Sequence, residues 1–255
     1  MTAFRAAFGF QIAYMRRNRD QLMPLFASPL YTVIFLAITR AAGRDDLSSY
    51  AVLAPALIAL WAVSLMSAGE VIDSERYEGT LEAVVATPAS LGVVMFGRVL
   101  AVVVIGCLAF FESWLTAALL FGVVVPIPQP GWFLATLAIT VLAMAGTATI
   151  MASVFVLARS ARTFQNVLSY PVYVLGGVIV PVSLLPAWVQ PISRVVFLSW
   201  SADLFRDSLG AAPVEAPVGR LGMVLLLGAI GFAVGGWMLR RILARVRETG
   251  TLAYA

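Results

Sequence analysis

Apolar residues lie along this chain in long blocks, and short polar stretches separate the blocks. An α-helix rises about 1.5 Å per residue, so a block of roughly 20 residues matches the thickness of a bilayer's hydrocarbon core. The pattern therefore predicts an all-α integral membrane protein in which residues 1–255 form a single transmembrane domain. Six transmembrane helices are predicted, at about 22–39, 50–70, 93–124, 132–157, 164–182 and 219–239.

Two of the predicted spans depart from a plain apolar helix. The block at 93–124 is longer than a bilayer requires, which indicates a tilted helix or one that extends beyond the membrane. The block at 164–182 contains Pro171, the Gly176–Gly177 pair and Pro181. These residues interrupt the backbone hydrogen bonds of a helix and favour a kink.

The residues before the first span, 1–20, have the pattern of an amphipathic helix. Phe4, Phe8, Ile12 and Met15 recur at spacings of three and four, and the arginines lie off that stripe. Such a helix lies in the plane of the membrane surface with its apolar face toward the acyl chains. The prediction is a cytoplasmic interfacial helix, and a frayed basic tail is the alternative.

The chain between the fifth and the last predicted span, 183–209, is too interrupted to cross a membrane. Pro186 and Pro191 divide it into apolar stretches that are shorter than a span. We expect it to form one or two short re-entrant or interfacial helices on the extracytoplasmic side. Trp188 and Trp200 are expected at headgroup depth, where tryptophan is enriched.

The composition supports a membrane protein and excludes several kinds of catalysis. Hydrophobic residues make up 61% of the chain and charged residues 12%, and the mean hydropathy is +0.95. The sequence contains no Lys and no His, so it has neither the lysine of a P-loop nor the histidine of a zinc-protease motif or a Ser-His-Asp triad. The single cysteine, Cys107, lies in an apolar run, where we expect it to pack against lipid or a neighbouring helix without a chemical role. No enzyme activity, metal site or cofactor is expected in this chain.

Every basic side chain is an arginine, and the distribution of the arginines predicts the orientation. With six spans, 12 of the 17 arginines fall on the side that holds both termini. The positive-inside rule then places both termini and the segment 71–92 in the cytoplasm. The arginines flank apolar blocks and do not form one basic, aromatic-lined surface, so nucleic acid is not an expected partner.

The segment 71–92 differs from the other predicted cytoplasmic stretches because it is acidic. Its carboxylates include Glu75, Glu78 and Glu82. Acidic residues contribute little to membrane topology, so another role must account for them.

A short amphipathic helix is predicted within this segment. Thr80 can cap its first turn, and Pro88 disfavours helical geometry at the residue before it. Leu81, Val84 and Val85 would then form an exposed apolar side that suits a groove on another protein. An ordinary solvated loop, or a helix lying on lipid, is an equal alternative on spacing alone.

The same segment carries a recognisable motif. Residues 75–88, ERYEGTLEAVVATP, resemble the E-R-x-x-G-T-L-E-x-L-L-x-T-P stretch of ABC-2 type permeases, which include the daunorubicin-resistance and lipo-oligosaccharide export types. The likeness extends over most of the chain, and the extracytoplasmic segment is similar to the family's pattern at Leu184, Leu185, Pro186 and Trp188. Two valines stand where paired leucines are usual, which leaves the choice of partner open.

The resemblance implies a role for the segment and a set of partners. In ABC-2 permeases it is a coupling helix that contacts a separate ATP-binding subunit. The matching positions here are Glu75, Arg76, Glu78, Gly79, Thr80, Leu81, Glu82, Val84, Val85, Thr87 and Pro88. The implied assembly contains two copies of the ABC ATP-binding subunit, which binds ATP and Mg, and a second permease copy or a paralogous permease. Its surroundings would be the lipid of a bacterial-type cytoplasmic (inner) membrane.

The implied function is that of the permease subunit of an ATP-driven exporter for an amphipathic substrate, such as a drug (multidrug resistance), a lipid or a lipid-linked glycan. Glu112 is a candidate for the substrate pathway, because a carboxylate deep in a span costs about 2.5–3.5 kcal/mol unless it is paired or hydrated. A hydrogen bond to a neighbouring helix, or a position near the outer interface, is the structural alternative. An ion-gradient-driven secondary transporter is the alternative function. The missing His and Lys disfavour a membrane-embedded enzyme.

Overall fold

The computed structural model describes residues 2–18, 23–77, 91–157 and 161–249, and within these ranges the chain forms helices and no strand. The helices are α1 (Thr2–Arg17), α2 (Met23–Ala41), α3 (Ser48–Tyr77), α4 (Leu91–Gly106), α5 (Leu108–Phe121), α6 (Pro130–Leu157), α7 (Ala161–Leu175), α8 (Gln190–Ser193), α9 (Phe197–Leu209) and α10 (Pro217–Thr249). Short 3-10 turns lie at Asp45–Leu47 and Val182–Leu184. The predicted all-α fold is confirmed.

The first half of α3 forms the centre of the bundle. Residues 51–61 are all buried, because α2, α4, α5, α6, α7 and α9 pack around this helix. Its sequence there is apolar on every side, as expected of a helix with no face toward water or lipid. α10 lies at the periphery by comparison. Of its most apolar stretch, 28% is buried within the protein, against 72% for the corresponding stretch in Asp45–Leu65.

Apolar helices occupy the predicted spans. Among the described residues, four helices are long and apolar enough to cross a membrane, at Asp45–Leu65, Gly92–Phe121, Pro130–Met151 and Pro217–Arg241. A shorter apolar helix lies at Leu25–Ala41. These segments match the second, third, fourth, sixth and first predicted spans respectively.

The fifth predicted span, 164–182, differs from the structure at its C-terminal end. α7 ends at Leu175, and Gly177 has a φ of +64°, in the left-handed region that favours glycine. The amides of Gly177 and Val178 donate to the carbonyls of Val174 and Tyr173, which closes the helix. The chain therefore leaves the helix before 182.

The third predicted span is divided into two helices. A turn at Cys107 separates α4 from α5, and the Cys107 amide lies 3.2 Å from the carbonyl oxygens of both Val103 and Val104. At the C-terminal end of α5, Gly122 has a φ of +63° and its amide donates to Ala118, while the Val123 amide donates to Ala117. A left-handed glycine whose amide bonds to the carbonyl four residues earlier is an αL cap, which stops α5 before the predicted end at 124.

Glycines bring α6 and α10 into backbone contact. A Cβ on Gly228 would lie 2.5 Å from the Cα of Ala143, and a Cβ on Gly235 would lie 2.6 Å from the backbone nitrogen of Ile150. Ser153 donates a hydrogen bond to the Gly235 carbonyl at 2.8 Å. Gly231 and Gly235, which form a GxxxG pair in α10, therefore pack against a helix of the same chain.

The segment between α7 and α10 forms short helices, as predicted. α8 has four residues, and α9 is a 13-residue helix that buries one face within the bundle. Phe205 of α9 packs between the rings of Phe110 and Phe133, with ring centres 5.3 and 5.1 Å away. The hydroxyl of Ser201 is hydrogen-bonded to that of Thr140 at 2.9 Å. α9 is thus part of the bundle's core.

Candidate functional site

The residues that match the coupling motif begin in the last turn of α3 and continue toward α4 along the chain. α3 continues to Tyr77, so Glu75 and Arg76 belong to its last turn, and α4 begins at Leu91. Outside the described residues lie Glu78, Gly79, Thr80, Leu81, Glu82, Val84, Val85, Thr87 and Pro88. The amphipathic docking helix therefore stays a prediction.

α1 packs against α4 through a buried arginine. Arg98 of α4 is 4% exposed, and its Nε donates a hydrogen bond to Oε1 of Gln11 at 3.0 Å. The guanidinium carbon lies 5.1 Å from the centre of the Phe10 ring, in cation–π contact. Met15, on the predicted apolar stripe of α1, is 1% exposed, so this part of the stripe faces the protein.

This contact was not predicted from the sequence. Arg98 was counted only as one of the arginines that set the topology, and Gln11 was not singled out. A signal was present, because Arg98 interrupts a run of apolar residues in which a charge needs a partner. The identity of that partner depends on the packing of two helices that are distant in sequence.

Glu112 lies on α5 next to a cluster of buried hydroxyl groups. The hydroxyls of Ser113 and Ser28 are hydrogen-bonded at 2.8 Å, and the hydroxyl of Thr32 donates to that of Ser113 at 3.1 Å. These contacts join α2 to α5. The Oε2 atom of Glu112 is buried and has no hydrogen-bond partner among the described residues. An unpaired carboxylate oxygen therefore lies one residue from a polar helix contact.

Arg206 of α9 joins three elements. Its side chain is 7% exposed and pairs with Asp203 at 3.3 Å. The guanidinium also donates to the carbonyl oxygens of Gly177 and Val178, in the turn that follows α7. Its carbon lies 5.4 Å from the ring centre of Tyr50 at the start of α3. Arg206 thus fixes the C-terminal end of α7 to α9 and α3.

Further polar contacts hold the segment before α10 in place. Arg194 pairs with Asp203 at 2.8 Å and lies over the ring of Trp200, whose indole nitrogen donates to the Arg194 carbonyl at 2.9 Å. Gln129, in the loop before α6, donates to the carbonyl of Ala212 at 2.6 Å. These contacts make the segment between α7 and α10 an ordered part of the fold.

The residues of this segment that resemble the family pattern lie in the turns before α8. Leu184 is 73% exposed and Trp188 is 75% exposed, while Leu185 is half-buried. The carbonyl of Pro186 accepts the amide of Val189 at 2.8 Å. In the described ranges, no group of three or more Cys, Asp or Glu residues is placed to hold a metal ion.

The fold and these sites define a multi-pass integral membrane protein whose polar contacts join helices across the bundle. The profile of a family described as ABC-2 type transporter matches residues 2–209, from α1 through α9. The chain therefore belongs to the ABC-2 type transporter family, the permease component of ABC transporters. This component is distinct from the nucleotide-binding part, and its partner is an ABC ATP-binding subunit. A search of curated proteins found no match to the chain.

Proposed function

We propose that the chain is the permease subunit of an ATP-driven exporter that moves an amphipathic substrate, such as a drug, a lipid or a lipid-linked glycan, across a bacterial-type cytoplasmic membrane. The family match over residues 2–209 carries this proposal. The separate ATP-binding subunit holds ATP and Mg and supplies the energy, since a chain without Lys has no P-loop lysine.

The proposed docking site for the ATP-binding subunit is the segment 75–88. Its position supports this role, because the long helix α3 leads into it and α4 leads back from it. Displacement of the segment would therefore act on two helices at once. Leu81, Val84 and Val85 supply the apolar contacts, and the flanking carboxylates tune association.

The proposed assembly is a pair of permeases, identical or related, with two ATP-binding subunits. Six predicted spans are few for a pathway that must enclose an amphipathic molecule, and the resemblance to ABC-2 exporters favours a dimer. Within each permease, Glu112 is the proposed polar residue of the substrate pathway. Its support is the buried Oε2 atom, which has no hydrogen-bond partner in the part of the chain that the structure describes.

The docking proposal is tested by Leu81→Asp in a permease co-expressed with its ATP-binding subunit. Burial of a leucine side chain contributes about 1.5–3 kcal/mol, and a charge at the same position adds a desolvation penalty. We expect the ATP-binding subunit to be lost from the purified complex and ATP-dependent export to stop. Insertion and expression should stay near normal, because residue 81 lies outside the predicted spans.

The matched control is Glu82→Gln, which neutralises the neighbouring residue. A charge at the rim of an interface mainly changes the association rate and its salt dependence, so the complex should survive purification at low salt. Retention of the ATP-binding subunit by Leu81→Asp would contradict the docking site. A secondary transporter would show no co-purifying ATPase in the unmodified protein either.

A further inference from the structure

A buried polar contact fastens α1 to α4. Arg98 donates through Nε to Oε1 of Gln11 at 3.0 Å, and Gln11 is fully buried. The Arg98 guanidinium also lies over the ring of Phe10. A charge-assisted hydrogen bond in a buried site is stronger and more directional than a bond between neutral groups in water. Arg98 therefore holds two consecutive residues of α1.

Close packing extends the contact along α1. A Cβ on Gly97 would lie 3.0 Å from the carbonyl oxygen of Phe4 and 3.3 Å from the Cβ of Ala7, so the absence of a side chain lets the helices approach. The ring of Phe4 lies 6.2 Å from that of Phe96, and Met15 is buried at the other end. Among the described helices, α4 is the principal neighbour of α1.

In ATP-driven export, movement of the docking segment has to reach the membrane-spanning helices. α1 lies between α4, which follows the docking segment, and the start of α2. α4 begins at Leu91, directly after the proposed docking segment. α1 leads within a few residues to Met23, where α2 begins. α2 in turn is bonded to α5 through Ser28 and Ser113 at 2.8 Å. A body made of α1 and α4 would therefore join the docking segment to the start of α2.

We propose that Arg98 is a positioning residue for energy coupling, which clamps α1 to α4 so that a displacement of α4 reaches the start of α2. This inference rests on the proposed function, because the displacement comes from the ATP-binding subunit. Arg98 acts through Gln11 and Phe10. The two helices move as one body during the cycle.

Pulsed EPR distances test this motion in the complex of the Cys107→Ser permease with its ATP-binding subunit. Spin labels are placed in pairs at Ala13 on α1, Val93 on α4 and Leu134 on α6, all exposed, and labelled permease is diluted with unlabelled permease. Distances are compared without nucleotide and with ATP trapped by vanadate. The Ala13–Val93 distance should stay constant. The Ala13–Leu134 distance (the α1 shift) and the Val93–Leu134 distance (the α4 shift) should change together.

Substitutions at Arg98 should separate the two shifts. In Arg98→Gln, we expect the α4 shift and the bound ATP-binding subunit to be retained and the α1 shift to be lost. Arg98→Lys keeps a cation and a donor for Gln11 and should retain part of the α1 shift. Arg16→Gln, which removes an exposed arginine from α1, is the matched control and should leave both shifts intact.

Three results would overturn the inference: a changed Ala13–Val93 distance in the unmodified complex, an intact α1 shift in Arg98→Gln, or loss of the ATP-binding subunit from that variant. If Arg98→Gln does not accumulate in the membrane, Gln11→Met removes the acceptor instead. The α1 shift must then be lost in Gln11→Met, and its retention overturns the inference. A missing α4 shift, or no bound ATP-binding subunit, in the unmodified complex contradicts the proposed function itself.

Discussion

A substitution at Glu112 can distinguish a role in substrate binding from a structural role. Glu112→Gln keeps the shape of the side chain and removes its charge. Loss of a charge-assisted hydrogen bond of about 1.5 kcal/mol lowers affinity about tenfold. If Glu112 binds substrate, the concentration of daunorubicin or of NBD-labelled phosphatidylethanolamine that stimulates ATP hydrolysis should rise by about that factor. The measurement is ATPase activity of the complex in nanodiscs, and basal hydrolysis should persist.

Thr116→Val is the control for this prediction, because it changes the same region of α5 and leaves the carboxylate in place. The Thr116 hydroxyl donates to the backbone carbonyl of Glu112 at 2.7 Å, a carbonyl that a helix already uses. Stimulation should be unchanged in Thr116→Val. Unchanged stimulation in Glu112→Gln as well would support the structural role.

Some functional candidates can be selected from residue type and position in the sequence. The contacts of others can be found only in the folded protein. Glu112 could be selected because a carboxylate in an apolar block is costly wherever it packs. For Arg98 and Arg206, the sequence shows the charge but not the partner. Their partners, Gln11 and the carbonyls of Gly177 and Val178, come from distant segments that the fold brings together.

At the level of helices, α6 and α10 form a pair that depends on the absence of side chains. A methyl group on Gly228 would overlap the backbone of Ala143, so Gly228→Ala must push the helices apart. Overpacking of this kind costs about 1–3 kcal/mol. We expect a lower midpoint of thermal unfolding for the purified protein in detergent, with α-helical circular dichroism retained below the transition.

Gly222→Ala is the matched control in the same helix. A Cβ at this position meets nothing within 4 Å, and alanine is a better helix former than glycine by about 0.5–1 kcal/mol. The midpoint should therefore stay the same or rise. Equal midpoints for Gly222→Ala and Gly228→Ala would show that the close contact between α6 and α10 contributes nothing to stability.

The positions of the long helices were predictable from local composition. The apolar blocks located α2, α3, α6 and α10 because their length and composition suit a bilayer regardless of the neighbours. The end of α7 depends on Gly177, which the sequence marked as a break without showing that the helix stops there. The depth of α9 could not be predicted, since it depends on the fit of Phe205 between two aromatic rings of other helices.

For the whole molecule, the orientation in the membrane can be tested by cysteine labelling. In a Cys107→Ser background, cysteines at Ala3, Ser90 and Ala253 should resist a membrane-impermeant thiol reagent in intact cells, because the arginine distribution places them in the cytoplasm. Cysteines at Ser48 and Ala212 should react. All five should react after the membrane is permeabilised, and labelling of Ser90 in intact cells would contradict both the orientation and the docking site.

An all-helical membrane protein and a resemblance to the ABC-2 family follow from the amino-acid sequence alone. Both properties depend on local features: apolar blocks must form helices in a bilayer to satisfy their backbone groups, and the motif at 75–88 is contiguous. Three features became evident only from the packing of the helices: the contact of Arg98 with α1, the position of α9 within the core, and the contact of Arg206 with the C-terminal end of α7. These contacts join segments far apart in the chain, and the energy that selects them comes from packing and from the pairing of buried polar groups.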